Sequence, residues 1–147
     1  MKERECINNI IAVIRYTTTT VIGVAIYWLG GLDELLTALL ALLLLDYITG
    51  VLSAWLSGRL SSNAGFRGIA KKILLLGIVA LSFILEGMTG GSLPLREITV
   101  MFFIANEGLS ILENAARCGL PLPKKLKSAL KQLRGDTSGE KADVSHK

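Results

Sequence analysis

The stretch LLTALLALLLLDYITGVLSAWL, Leu35 to Leu56, holds one aspartate, Asp46, close to its middle and no other acid or base. At about 1.5 Å per residue, a helix of this length reaches about 33 Å, enough to cross a hydrocarbon layer of roughly 30 Å. The stretch reads as a membrane-spanning helix. A carboxylate at that depth costs at least a few kcal/mol, at the low end of a contested range, unless it is paired, protonated or facing water. Asp46 is therefore the first candidate functional residue.

The rest of the chain agrees with that reading. Of its 147 residues, 51% are hydrophobic and 19% charged, more apolar side chain than one small core can hide. Lipid is the natural solvent for the excess, and the fold class expected is an all-α polytopic membrane protein. Further helices are expected at about 10–29, 70–88 and 97–117. Glycine and proline clusters separate the segments, among them Gly30, Gly31, Gly90, Gly91 and Pro94. The first segment follows a charged N-terminus as a signal peptide would. It contains Arg15, is long for an h-region and lacks a small-residue cleavage site after it, so it is expected to be retained.

Charge placement gives the topology. Arg59, Arg67, Lys71 and Lys72 follow the second helix, and the segment from Arg117 to Arg134 is basic and free of acids. Asp33 and Glu34 follow the first helix, and Arg96 is the base between the third and fourth. Because lysine and arginine are retained on the cytoplasmic side, four spans with both termini inside are expected; three spans are the alternative, since the third helix has a short apolar core, Ile73 to Leu85. The basic residues are then expected to face anionic lipid, and the net charge of +4 is no sign of nucleic-acid binding.

After Gly119, Pro121 and Pro123, Leu126, Leu130 and Leu133 recur at helical spacing among Lys124, Lys125, Lys127 and Lys131. An amphipathic helix over about 123–133 is expected to lie on the inner leaflet. The polar stretch 135–147, with His146, is expected to be a disordered tail. Cys6 and Cys118 have no ligand spacing, no catalytic pattern is present, and no metal or cofactor is expected.

Within the helices, Asp46 falls at the depth of Asn106 and Glu107, and the three are candidates to satisfy one another. Asn106, Ser110, Glu113 and Arg117 share a face of the fourth helix, with Glu113 and Arg117 spaced for an ion pair. Gly50, Ser53, Ala54 and Ser57 form a small-residue stripe on the second helix where another helix can approach. Asp46, Asn106, Glu107, Ser110 and Glu113 are the candidate pore-lining residues. A static network inside one bundle is the alternative role for this polar face.

Three passages resemble a phage holin family that includes the clostridial toxin-secretion holins. The first is Asp46-Tyr47-Ile48-Thr49-Gly50, followed by Ser61-Ser62 and then Gly65-Phe66-Arg67-Gly68-Ile69-Ala70-Lys71-Lys72. The second is Phe103-Ile104-Ala105-Asn106-Glu107-Gly108-Leu109-Ser110-Ile111-Leu112-Glu113-Asn114. The third is Gly119-Leu120-Pro121-Leu122-Pro123 with Lys125-Leu126, so that the likeness covers about Leu42 to Leu133. The resemblance implies a small inner-membrane protein of a phage or prophage in a Gram-positive bacterium. It also implies a homo-oligomer that opens timed lesions for an endolysin or a toxin, without covalent chemistry. The rival readings are a small proton-coupled transporter and a membrane adaptor that recruits a partner through its basic C-terminal helix.

Overall fold

The computed structural model describes residues 2–133 of the chain, all of its regular structure being helical. The helices are α1 (Lys2–Trp28), α2 (Glu34–Leu56), α3 (Ser62–Met88), α4 (Leu95–Arg117) and α5 (Lys124–Leu133). The expected tail over 135–147, with His146, lies outside the described residues, as does Arg134.

Among the described residues α1, α2 and α3 are long and apolar enough to cross a membrane. α4 carries more polar residues and does not meet that measure, so composition alone supports three of the four expected spans. Two boundaries also differ from expectation. α1 begins at Lys2 rather than near residue 10, and α3 begins at Ser62 rather than near residue 70. Arg67 thus lies on the second turn of α3 rather than ahead of it, while Arg59 precedes the helix and Ser61 stands before it in extended conformation.

α4 packs along both α2 and α3, which touch each other over a short stretch only. Leu36, Leu39 and Leu43 of α2 recur at helical spacing and meet Leu75 and Val79 of α3 and Val100 of α4 in one buried cluster. In lipid such contacts hold helices together through close packing, since the surrounding tails are as apolar as leucine. α1 contributes no buried residue and touches α3 alone. α5 folds back on α4, its Leu130 resting where a side chain on Gly108 would be, 3.2 Å from an ideal Cβ. The helix expected to lie flat on the leaflet therefore has a protein partner, because Gly108 leaves a notch in α4 that a leucine fills. Lys124, Lys125, Lys127 and Lys131 remain exposed.

One end of the bundle is tied by Arg96. Its Nε donates to Leu29 O at 2.6 Å, its Nη2 to Gly31 O at 3.2 Å and its Nη1 to Asp33 Oδ2 at 2.6 Å. The Glu86 carboxylate accepts from the Arg96 backbone N–H at 2.8 Å, capping an α4 N-terminus that has no side-chain cap of its own. Asp33 also caps α2 by accepting from Leu36 N at 2.8 Å. The Arg96 guanidinium and these N–H groups hold the Asp33 carboxyl down at about 2. Gly30 passes so close to this arginine that a Cβ would lie 2.5 Å from Nε, and its φ of +84° suits glycine.

Candidate functional site

The second polar centre lies toward the α2–α3 turn. Lys72 Nζ donates to Asp46 Oδ2 at 2.9 Å and to Glu107 Oε2 at 2.6 Å, joining α2, α3 and α4 through one ammonium. Asn114 Nδ2 donates to the other Asp46 oxygen at 3.2 Å and to Thr49 Oγ1 at 3.3 Å, while the Thr49 hydroxyl donates to Asp46 O at 3.1 Å. Gly50 lies beside this contact, its ideal Cβ position being 3.6 Å from the Asn114 amide nitrogen, an ordinary packing distance.

This centre opens into a cleft of about 570 Å³ between α2 and α3, with α4 along it. Gly50, Val51 and Ala54 line it from α2, and Ala64, Gly65 and Gly68 from α3. Tyr47 fills the space over the two α3 glycines, its ring and hydroxyl 3.7 to 4.0 Å from where their side chains would begin. Small side chains on the facing helices thus make up much of the cleft wall.

The structure thus brings together most of the residues singled out from sequence. Asp46, Asn106, Glu107 and Ser110 all line the cleft. Of the small-residue stripe, Gly50 and Ala54 line it, Ser53 is buried, and Ser57 is exposed with its hydroxyl donating to Ser53 O at 2.8 Å. Glu113 does not join them: it and Arg117 are exposed and form no ion pair. Ser110 and Asn114 lie on the cleft side of the helix, and Glu113 falls beyond that face.

Arg59, Arg67 and Lys71 are exposed. Lys72 is not: its side chain is 17% exposed and turned inward. Two carboxylates on neighbouring helices stand within its reach, and neutralising both outweighs extending one stem to the headgroups. Asn114 and Arg96 were not among the sequence candidates. Asn114 follows Glu107 by two helical turns on one face; Arg96 is the lone base in and around the α3–α4 turn, and the α1–α2 turn carries the acid Asp33. Both signals were readable. Cys6 and Cys118 are free thiols.

The ion-paired centre sets one ammonium between two carboxylates and so ties three helices together. It offers hydrogen bonding and charge to whatever enters the cleft, and no metal-ligating cluster is found among the described residues.

Comparison with known proteins places this arrangement. A 14.9 kDa uncharacterised protein encoded in the nagH 3′ region of Clostridium perfringens is 42% identical over 127 residues, covering 85% of this chain and 96% of its own. A probable holin of Bacillus phage phi105 is 34% identical over 109 residues, 74% of this chain and 81% of that one. The Bacillus subtilis protein YqxH is 34% identical over 116 residues, covering 79% and 82% of the two chains. No solved structure matches the chain significantly. The description of the bacteriophage holin family matches residues 23–135, beginning well before the part whose motifs had suggested it. With most of its length matched, and with apolar helices that suit the bacterial inner membrane, this multi-pass chain belongs to the bacteriophage holin family.

Proposed function

We propose that the protein is a holin that accumulates in the host cytoplasmic membrane, associates with itself and opens timed lesions through which an endolysin or a toxin leaves. The observation that carries this reading is the charged centre of Asp46, Lys72 and Glu107, which lines an open cleft within apolar helices. In the resting protein the charges satisfy one another. Above a critical density the helices exchange partners and the same polar groups line water.

In this reading α4 is the fourth span. It runs beside α2 from the Arg96–Asp33 contact to the Asn114–Asp46 contact, which requires it to share most of the depth of α2. Both termini are then cytoplasmic, and the exposed lysines of α5 meet anionic headgroups while its leucines hold α4.

The test is inducible expression in a bacterium that also contains a cytoplasmic endolysin, following optical density and membrane potential together. An abrupt fall in both after a delay is expected. Continued growth with intact potential, after confirmed insertion, overturns the reading and favours an adaptor. Loss of small solutes alone favours a transporter. The Asn106→Leu, Glu107→Leu double variant keeps the balanced Asp46–Lys72 pair, so it inserts normally and abolishes or delays permeabilisation. Unchanged lysis timing at equal expression would sink the polar-face mechanism.

A further inference from the structure

Resting on the holin reading, we propose that the α2–α3 cleft is the docking site for α1 of a second copy of this chain, whose Arg15 pairs with Asp46 and Glu107. Three observations converge on that occupant. The first is the charge of the cleft: two carboxylates share the single ammonium of Lys72. Lys71 also lines the cleft, but its exposed side chain pairs with neither carboxylate. A cationic group entering the cleft completes the neutralisation.

The second is α1 itself. It is an apolar helix of spanning length, unburied along its whole course, and it carries Arg15 within that span. Arg15 lies over the ring of its neighbour Tyr16, 5.5 Å from the centroid, and has no carboxylate partner among the described residues. A guanidinium inside a span is costly until it is paired, and it is matched in shape to carboxylates.

The third is register. Leu29 and Asp33 meet on the same Arg96 guanidinium and so stand at one level. Counted from there, Arg15 lies about 21 Å along α1, and Asp46 about 20 Å along α2. Copies inserted in the same sense therefore place Arg15 of one at the level of the charged centre of another. Gly50, Ala54, Ala64, Gly65 and Gly68 give the cleft the low walls that a helix backbone needs for close approach. The chain's own α1 touches α3 but lines no part of the cleft, so the occupant is the α1 of a neighbour.

Ile11 lies one turn beyond Arg15, and Val51, on the cleft wall, lies slightly more than one turn beyond Asp46; both are exposed. Two differently tagged full-length chains, each with Cys6→Ser and Cys118→Ser, are co-expressed in bacterial membranes. One carries Ile11→Cys and the other Val51→Cys, and the membranes are oxidised with copper phenanthroline. A mixed disulfide dimer is expected as the main product. Its yield falls at least tenfold when Arg15→Ala is added to the Ile11→Cys chain, and Arg15→Lys retains most of it. Dominant Ile11→Cys homodimers overturn the proposal. So does cyclisation without dimers in a chain bearing both cysteines, or a yield indifferent to Arg15→Ala. Membrane potential in the same cultures separates the two readings. Potential loss without the mixed dimer removes this interface and leaves the holin standing; the mixed dimer with potential intact does the reverse.

Discussion

Removing Lys72 is the most severe test of how the bundle is held together. Lys72→Met keeps the length of the side chain and deletes the charge, leaving two carboxylate oxygens that both touched one nitrogen, at 2.9 and 2.6 Å. They are then at most about 5.5 Å apart. At an effective dielectric constant of about 20, two unit charges about 5 Å apart repel by about 3 kcal/mol. That figure agrees with the 3–5 kcal/mol typical of breaking a buried pair, and the residual exposure of Asp46 favours its lower end. Equilibrium unfolding of the detergent-solubilised protein is therefore expected to lose about 3 kcal/mol. Adding Asp46→Asn and Glu107→Gln removes the repulsion and returns stability to within about 1 kcal/mol of the parent, because a neutral polar set replaces a broken ionic one. The non-additivity is the sharper part, since neighbouring residues in one network couple. A Lys72→Met loss below about 0.5 kcal/mol, or no recovery in the triple variant, would refute the bridging role.

Gly30→Ala meets the Arg96 side chain at 2.5 Å and a φ of +84°, so it should cost about 2–3 kcal/mol in the same unfolding assay. Gly31→Ala, with φ +92° but open space around it, should cost about 1 kcal/mol; equal losses at the two sites would refute the close-approach argument. Gly108→Val should dislodge Leu130 and expose α5 to trypsin at its lysines, seen as faster proteolysis with α2 and α3 intact. The Asp33–Arg96 pair sets an acid limit. Asp33 is held at about 2, below its ordinary 3.8, so its contribution is full above about pH 4 and is lost as pH falls through about 2. Asp33→Asn should lower stability by a constant amount above about pH 4, where the contribution is full, and flatten the pH dependence between about 4 and 2. The effect is modest, because the Asp33 side chain is 46% exposed.

How much of this was legible in the sequence depended on the kind of signal. The strongly apolar α2, with Asp46 in it, was readable because length and hydropathy are local properties. The start of α3 was not, because Ser62, Asn63, Ala64 and Gly65 mix weak helix formers that tertiary contact with Tyr47 overrides. Lys71 and Lys72 read alike as lipid-facing bases, yet one is exposed and the other turned inward; adjacent helical residues point about 100° apart, and sequence alone does not say which turns inward. α4 shows the opposite error of a simple measure. Its polar residues lower its hydropathy, yet Val100, Ala105, Glu107, Leu109 and Asn114 are buried against its neighbours. Residues that satisfy one another inside a bundle count as polar in a window and as core in the fold.

The bundle has unequal ends. At one, Arg96 clasps the α1–α2 turn and Asp33 while Glu86 caps the same residue's backbone; at the other, α2 and α3 stand apart across the cleft. Such a body is a wedge with its pivot at the clasp, and any spreading takes area from the leaflet beside the α2–α3 turn more than from the opposite one. If copies gather in one sense, as the proposed function has it, their wedges add and crowding stores lateral stress in the bilayer itself. The membrane then becomes part of the spring that the packed helices load.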